Sequence, residues 1–535
     1  MTTVSSRVHP GADREVDAER PVATTGDPGE SAEGATVPMT HRQILESLTG
    51  LLLAMFVAML SSTVVSNALP TILTKLHGGE TAYTWVVTAT LLTLTASTPI
   101  WGKFSDQFDR KLMMQIAIVV YIAGSVLAGA ASGIGVLIAA RAIQGVGAGG
   151  ITALTQIILA AMIPPRQRGR YSGYIGAVFA LATLLGPLIG GVIVDTSWLG
   201  WRWCFYVGVP VAVAALIVLQ LTLHLPKNSR KVKVDYLGAG TLISGVSLLL
   251  VWVSLAGSGE FGWLSLETAI MVPISIILLV ATVFVEKRAA EPIIPLDLFA
   301  HRTVTLSVVA SLFIGVALFG ATVFISQYFQ ISRGKSPTVS GLQALPLVFG
   351  LFLSSLIVGR IITKTGRWKR YLVAGSIASV VGFALLSLIR YDTSVWLVGL
   401  FMLITGAGMG ATLQNLILAV QNTVPMRELG AATSTVSFFR SLGGAVGVSA
   451  LGAVLGSRSS HLISHGLAGL GIPSSASTTE IPDVRALPAP VAHVIEVAYG
   501  QSVGLVFLIA VPFLVIATVA IMAIREVPLQ QSFDH

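Results

Sequence analysis

The sequence predicts an all-α integral membrane protein with fourteen transmembrane helices, arranged as two pseudo-repeated six-helix bundles with two additional helices inserted between them. Three observations predict this fold. The 535 residues are 54% hydrophobic and only 11% charged, whereas about 25% of the residues of an ordinary soluble chain are charged. The apolar residues form long runs, and two distant parts of the chain resemble each other. This composition excludes a disordered, fibrous or ordinary cytosolic protein.

Each apolar run is long enough to cross a hydrocarbon core of about 30 Å, which requires roughly 20 helical residues. The predicted spans are 46–68, 83–101, 112–132, 135–160, 172–194, 203–224, 236–256, 267–285, 304–329, 341–362, 371–390, 394–420, 431–456 and 501–524. The first run follows a long polar tail and lacks a cleavage site, so it is not interpreted as a signal peptide. The count depends on the assignment of the seventh, eighth and last runs.

The segments between the runs define the predicted domains. Residues 1–42 contain too few apolar side chains to form a core, which predicts a disordered tail. The predicted order is then an N-terminal bundle (43–224), two linker helices (225–301), a C-terminal bundle (302–525) and a short tail (526–535). Within the second bundle, residues 458–500 are rich in Ser, His, Gly and Pro and predict a long outer loop, with a weakly amphipathic stretch at 490–499.

The placement of the positive charges predicts the orientation. One set of loops carries 18 Lys and Arg residues and the opposite set carries 7, and positively charged loops stay in the cytoplasm. An even number of spans therefore places both tails in the cytoplasm, in a multi-pass protein of the plasma (inner) membrane. The formal net charge of +8 reflects this orientation, and no nucleic-acid partner is predicted. The single Cys204 excludes an internal disulfide and a multi-Cys metal site.

Two sequence echoes relate the halves. The segment that begins at Gly102 after span 2 matches the segment that begins at Gly359 after span 10, with Arg110 corresponding to Arg367. A glycine-rich stretch of span 4 (Gly145, Gly147, Gly149) likewise matches one of span 12 (Gly406, Gly408, Gly410). Two similar halves predict a duplicated architecture with a binding site at their interface, as in many transporters.

These motifs resemble those of the major facilitator superfamily, in particular its fourteen-span drug:proton antiporter branch, over residues 45–525. The loop after span 2 is similar to the signature Gly-x-x-x-Asp-x-x-Gly-Arg-Lys at Gly102, Asp106, Arg110 and Lys111, with Asp109 in place of the second Gly. Other matching segments are Arg141-Ala-Ile-Gln144-Gly145, Gly186-Pro187-Leu-Ile-Gly190-Gly191, Trp201-Arg202-Trp203 and Phe438-Phe439-Arg440. The resemblance implies a transporter driven by the proton gradient, with no cofactor and no enzymatic activity.

Span 1 departs from the family pattern. Ser61 stands where the family often carries an Asp implicated in proton coupling or cation binding. In addition, no Asp or Glu lies at the centre of any predicted span. The residue that binds the coupled proton is therefore left open, and so is a strict preference for cationic drugs.

Charged residues inside or beside the spans are the candidate gating and proton-linked residues. Arg141 lies about six residues into span 4, where an uncompensated charge costs at least about 2.5–3.5 kcal/mol. The resemblance implies a gating or proton-linked role, and a structural arginine is the alternative. Asp106 and Arg110 are expected to form a charge-assisted network beside a helix N-terminus, or else a static loop cap. Asp195 and Glu496, near outer span ends, are the remaining candidates.

Polar and aromatic side chains within the spans are the candidate substrate contacts. They are Ser61, Asn67, Trp85, Gln144, Gln156, Gln327, Tyr328, Gln343, Gln414 and Asn415. An apolar cavity with a few such groups suits hydrophobic or amphiphilic molecules, and helix–helix hydrogen bonding is the alternative for each. Six further residues are expected to serve as a hinge or in close helix packing, with Pro187 kinking span 5: Gly145, Gly149, Gly186, Pro187, Gly190 and Gly191.

The predicted function is export of hydrophobic or amphiphilic drugs and antibiotics in exchange for protons, by alternating access, in a monomer. A dedicated exporter of an endogenous secondary metabolite or lipid is the alternative, and a non-transporting sensor on the same scaffold is a remote one. An ATP-driven pump is not predicted, because Gly334-Lys335-Ser336 lacks the first glycine of a phosphate-binding loop. Nor does the sequence contain a membrane-protease motif.

Overall fold

The computed structural model describes residues 41–76, 80–196, 198–225, 235–258, 260–470, 472 and 487–529. In these ranges every regular element is a helix, so the predicted all-α class is confirmed. Nearly all of the predicted N-terminal tail and the last residues of the chain lie outside the described residues.

Fourteen long helices correspond in order to the fourteen predicted spans. They are α1 His41–Lys75, α2 Glu80–Gln107, α3 Arg110–Gly129, α4 Ile134–Met162, α5 Pro165–Asp195, α6 Gly208–Thr222, α7 Tyr236–Ser258, α8 Leu266–Arg288, α9 Arg302–Gln327, α10 Leu345–Thr365, α11 Lys369–Leu386, α12 Val395–Gln421, α13 Leu429–Gly469 and α14 Ala489–Ala523. A short helix, Trp203–Tyr206, precedes α6, and another, Pro337–Gln343, precedes α10.

Within the described ranges, thirteen helical segments are long and apolar enough to cross a membrane. The fourteenth helix, α2, is less apolar because it is rich in Thr and Ser. Several of its hydroxyls donate to its own backbone: Thr93 Oγ1 donates to the Ala89 carbonyl at 2.9 Å and Thr98 Oγ1 to the Leu94 carbonyl at 2.7 Å. These bonds lower the cost of placing the hydroxyls among apolar neighbours. With 28 residues, α2 is also long enough to span a bilayer.

Each half of the chain has its own apolar core. In the first half, Met114, Ile157 and Leu219 of α3, α4 and α6 are fully buried in one cluster. In the second half, Phe383 and Phe507 of α11 and α14 occupy the corresponding position. The two separate cores are what a pair of six-helix bundles requires, and the exact domain boundaries stay a prediction.

The inserted helices α7 and α8 pack against each other and against the side of the bundles. Ser275 Oγ of α8 donates to the Gly245 carbonyl of α7 at 2.8 Å. Leu242 and Val246 of α7 share an apolar cluster with Ala96 of α2 and Phe438 of α13. The pair is therefore seated beside α2 and α13.

The predicted loop over 458–500 is wrong for the part of it that the structure describes. α13 continues as a helix to Gly469, and α14 already begins at Ala489. The two extensions pack through Ile463 and Ile495, and this shared apolar contact stabilises helix where the composition alone favours a loop. The stretch 490–499 supplies one of the packed faces, while residues 473–486 lie outside the described residues.

The proline predicted to kink span 5 does not end the helix. α5 includes both Gly186 and Pro187. A proline removes one donor from the helical ladder, and the kink at this position stays a prediction. The side chain of Pro187 lies outside the described residues.

Candidate functional site

A polar cluster lies between α1, α3 and α4, and we define it as Ser61, Tyr121, Ser125, Arg141 and Gln144. Arg141 and Gln144 are one turn apart on α4, so they share a face. Arg141 Nη1 donates to Gln144 Oε1 at 2.5 Å. Gln144 Nε2 in turn donates to Ser61 Oγ at 3.0 Å and to Ser125 Oγ at 2.7 Å. Three of the predicted residues are thus brought together.

The charge in this cluster is deeply buried and only weakly compensated. Arg141 is 3% exposed, and its Nε is buried with no hydrogen-bond partner among the described residues. Tyr121 lies against the same side chains, and its hydroxyl donates to the Val57 carbonyl at 3.1 Å. The cluster places neutral dipoles, not a carboxylate, around the guanidinium. Since arginine does not titrate usefully, such a charge acts by attracting anionic or electron-rich groups and repelling cations.

A second arrangement joins the two bundles at the predicted cytoplasmic end. Asp106, in the last turn of α2, accepts hydrogen bonds from the backbone N–H groups of Gly430 and Ala431, both at 2.8 Å. These donors are in the first turn of α13, where backbone N–H groups lack partners within the helix. Arg110 Nη2 lies 3.7 Å from Asp106 Oδ1. The predicted ion pair is present, but the carboxylate chiefly binds the opposite bundle.

Asp106 lies beside a helix N-terminus as expected, and this N-terminus is that of α13. Asp109 is the residue that caps α3, because its Oδ1 accepts from the N–H groups of Lys111 at 2.8 Å and Leu112 at 3.4 Å. The Asp that departs from the family signature therefore has a local role as a good N-cap residue. Its capping leaves Asp106 available for α13.

Three further hydrogen bonds close the same end. Arg110 Nη2 donates to the Met426 carbonyl at 3.4 Å. Arg168 of α5 is buried and donates to Gln421 Oε1 of α12 at 3.2 Å. Gln421 Nε2 donates back to the Gln156 carbonyl of α4 at 3.5 Å. These bonds tie the first bundle to the second across α4, α5, α12 and the turn before α13.

Glycines permit close backbone contact at this end. A Cβ on Gly102 of α2 would collide with Ser434 and lie 2.7 Å from the Gly430 carbonyl oxygen of α13. A Cβ on Gly359 of α10 would collide with the Gly169 carbonyl of α5. The two glycines matched by the sequence echo thus occupy equivalent crossings, α2 on α13 and α10 on α5. The structure is the state that is closed at the predicted cytoplasmic end.

The carboxyl of Asp106 lies beyond residue 101, where the predicted span ends. Burial raises the pKa of Asp106 from its ordinary 3.8 to about 7, although the N–H groups of Ala431 and Gly430 and the charge of Arg110 favour the ionised form. A proton can therefore bind this contact near neutral pH while the end is closed.

The remaining polar candidates are dispersed. Trp85 of α2 lines a crevice with Val251 and Leu255 of α7, so it faces the inserted pair. Tyr328 is fully buried and its hydroxyl donates to the Arg390 carbonyl, in the loop after α11, at 2.8 Å. Asn415 Nδ2 donates to the Ala411 carbonyl of its own helix at 2.7 Å.

Three amide oxygens are buried without a hydrogen-bond partner among the described residues: Gln327 Oε1, Gln343 Oε1 and Asn415 Oδ1. Such atoms in a transporter interior are suited to receive a donor from a ligand. Gln414 is partly exposed. Glu496 lies within α14, with its backbone carbonyl accepting from Ser332 Oγ at 2.8 Å. The side chains of Asn67 and Asp195 lie outside the described residues.

The predicted packing glycines have different surroundings. A Cβ would lie 2.5 Å from the Thr90 carbonyl oxygen at Gly145 and 2.6 Å from that of Leu94 at Gly149, so α4 closely approaches α2 at both positions. At Gly186 it would collide with Thr63 of α1. Gly190 is buried. A Cβ on Gly191 would meet no atom within 4 Å, so the expected close approach at this residue is wrong.

Sequence reasoning missed several residues of these arrangements, among them Ser125, Tyr121, Arg168 and Gln421. Ser125 and Tyr121 lie one turn apart on an apolar helix. Their part in the polar cluster is visible only when α4 places Gln144 beside them. Arg168 was counted among the basic loop residues. Its burial was not detectable, because its partner Gln421 is 253 residues away in the chain.

Two helical bundles, a buried arginine at the centre of one of them and an interface closed at one end define a membrane transporter rather than an enzyme. The chain belongs to the Major Facilitator Superfamily, whose sequence profile matches residues 51–448. The family predicted from the motifs is therefore confirmed.

Relatives and solved structures agree with this assignment. The multidrug transporter protein MdtP of Bacillus subtilis is 36% identical over 416 residues, covering 78% of this chain and 76% of MdtP. Multidrug resistance protein 3 of the same bacterium is 31% identical over 484 residues, covering 88% and 93%. An uncharacterised MFS-type transporter of Mycobacterium tuberculosis H37Rv is 35% identical over 516 residues, covering 96% and 73%. The proton:xylose symporter XylE shares the fold, with a TM-score of 0.58 at 15% identity, covering 88% and 95%.

Proposed function

We propose that this transporter exports hydrophobic or amphiphilic small molecules, including drugs and antibiotics, across the plasma membrane in exchange for protons. The observation that carries the proposal is the neutral, buried surrounding of Arg141, in a chain whose relatives are named multidrug transporters. In the proposed cycle this region opens to the substrate in another state, and one fixed cation among a few uncharged polar groups suits amphiphiles better than highly charged metabolites.

The proposed cycle is alternating access, with both chain tails in the cytoplasm. The closed end holds Asp106 against α13, and opening it exposes the interface to the cytoplasm. Proton and substrate must favour different states, because a ligand with equal affinity for both states shifts nothing. The raised pKa of Asp106 makes the closed state the one that binds a proton at this end.

The test is transport by the purified chain in proteoliposomes with an imposed pH gradient, using a panel of drugs. We expect accumulation that a protonophore abolishes. Arg141→Ala is expected to insert and fold but to lose flux, whereas Arg302→Ala, at the exposed start of α9, serves as the matched control. Efflux that continues after the gradient has collapsed contradicts proton coupling, and wild-type flux in Arg141→Ala removes the cluster from the mechanism.

A dedicated exporter of an endogenous secondary metabolite or lipid is the second candidate. The observation that favours it is the length of α13 and α14, 41 and 35 residues, which exceeds the roughly 20 residues that cross the hydrocarbon core. Their extensions pack against each other through an apolar cluster that includes Ile463 and Ile495 at the predicted outer end. Transport of a single metabolite or lipid, with no response to the drug panel, decides for this candidate.

A further inference from the structure

Two carboxylates meet at the predicted cytoplasmic ends of the inserted helices. Asp235 directly precedes α7 and its Oδ1 accepts from the Gly238 N–H at 2.8 Å. Glu286 lies in the last turn of α8, is 4% exposed, and its Oε2 accepts from the Ile294 N–H at 3.3 Å. Each carboxylate thus accepts a hydrogen bond from a backbone N–H group through one of its two oxygens.

The other two oxygens face the same point. A Cβ on Gly238 would collide with Asp235 Oδ2 and would lie 3.0 Å from Glu286 Oε1, so both oxygens lie against the bare Cα of this glycine. Both are buried and have no hydrogen-bond partner among the described residues. Two ionised carboxylates this close, without water or a cation, repel each other strongly, and one of them is favoured to hold a proton.

One positive charge faces the pair. Lys103 of α2 interacts electrostatically with Glu286 and donates to Glu291 Oε2 at 2.7 Å. Glu291 lies between Glu286 and Ile294 in the sequence, so the same short segment contacts the carboxylate pair and the predicted cytoplasmic end of α2. Lys103 also acts on Asp106, which binds α13. Residues 226–234, which precede Asp235, lie outside the described residues.

We infer that Asp235 and Glu286 form a proton-binding site, in which one of the two carboxyls holds a proton, on Asp235 Oδ2 or Glu286 Oε1. Lys103 links the charge of this site to the contact that closes the bundles. This gives the inserted helix pair a role in proton binding and adds a second acidic site, beside Asp106, at the predicted cytoplasmic end. The coupling of this proton to export rests on the proposed function, whereas the site itself does not.

The site is tested by infrared difference spectroscopy of the full chain in liposomes during a pH titration, and Asp106→Asn identifies the band of the Asp106 carboxyl so that it can be subtracted. After this subtraction the wild type is expected to show the C=O stretch of a second protonated carboxyl near neutral pH, because one carboxyl of the pair holds a proton. The isosteric variant Glu286→Gln is expected to lose this band, and Asp235→Asn to lose it or shift it to lower pH. Glu267→Gln, at the exposed outer end of α8, is the control and is expected to keep it.

The outcomes separate the site from the proposed function. A wild-type titration that shows no second protonated band, or a second band that both isosteric variants retain unchanged, overturns the site. Lys103→Met is expected to raise the pH at which the band disappears, since it removes the facing cation, and no shift overturns the link to α2. Proton-independent export by a wild type that shows the band contradicts the proposed function and leaves the site standing.

Discussion

The crossing of α10 on α5 offers a direct test of how the predicted cytoplasmic end closes. In Gly359→Ala, the added Cβ would collide with the Gly169 carbonyl oxygen and would lie 2.8 Å from its carbon. Ordinary van der Waals contact begins at about 3.4 Å, so the two backbones must separate by more than half an ångström at their point of closest approach. Overpacking of this kind costs about 1–3 kcal/mol, and it acts only while the end is closed. The ratio of closed to open molecules is therefore expected to fall by about 5- to 150-fold.

The assay is pulsed electron paramagnetic resonance in liposomes, with spin labels on cysteines placed at Leu112 and Arg370. Both positions are exposed, one on each bundle, and native Cys204 is buried. The variant is expected to gain a population with a longer distance. Gly452→Ala is the control, because its Cβ would meet no atom within 4 Å and alanine stabilises a helix by roughly 0.5–1 kcal/mol relative to glycine. Equal closed fractions in Gly359→Ala and the control refute the reasoning.

Three further predictions use the other contacts. Asp106→Ala removes both bonds to α13 and is expected to shift the distances toward the open state, as seen with the same labels. In the closed state of the wild type, Asp106 has a pKa of about 7, and this pKa is expected to return to the ordinary 3.8 when the end opens to water. Closing therefore takes up a proton, so the closed fraction should rise as the pH falls from 7 toward 4. The closed fraction of Asp106→Asn should depend less on pH. Gln144→Leu removes the hydrogen-bond acceptor of the Arg141 guanidinium and is expected to lower the free energy of unfolding by about 1–3 kcal/mol. The control Gln414→Leu should change this free energy by no more than about 0.5 kcal/mol. Denaturant unfolding in detergent measures both variants.

The number and order of the helices could be predicted because each apolar run carries its own signal of length. Helix ends were harder to predict. α13 and α14 extend beyond their spans because Ile463 and Ile495 pack together, and neither run is apolar enough alone to show this. α2 illustrates the opposite case, since it is a long helix although its Thr content lowers its hydropathy.

The site was predictable only where partners are close in sequence or motifs are shared. Arg141 and Gln144 are one turn apart, so their pairing follows from helix geometry. Asp106 and Gly430 are separated by 324 positions, and a local pattern contains no information about that contact. The same holds for Asp235 and Glu286, which look like ordinary loop and helix-end carboxylates until α7 and α8 are packed side by side.

The crossings of α2 on α13 and of α10 on α5 both have glycines at the contact, but only the first has an acidic residue, Asp106. The positions at which α13 and α5 begin explain this difference. α13 begins at Leu429, so the N–H groups of Gly430 and Ala431 are in its first turn and need outside acceptors. α5 begins at Pro165, four residues before Gly169, so the N–H of Gly169 is already within reach of a carbonyl of its own helix. An acid opposite α5 would find no free donors there.

Thr363, which occupies the place of Asp106 in the second half, fits this account. Its hydroxyl donates to the Gly359 carbonyl of its own helix at 2.9 Å, and its carbonyl accepts from Arg166 Nε at 3.5 Å. We therefore expect that adding Thr363→Asp to Asp106→Ala does not restore the lost closed fraction. By contrast, Asp106→Glu, which keeps the acid at this position of α2 on a side chain one methylene longer, is expected to retain part of it. Recovery by Thr363→Asp in the spin-label assay would show that charge alone closes this end. Failure of both variants would mean that closure tolerates only the geometry of the two bonds to α13.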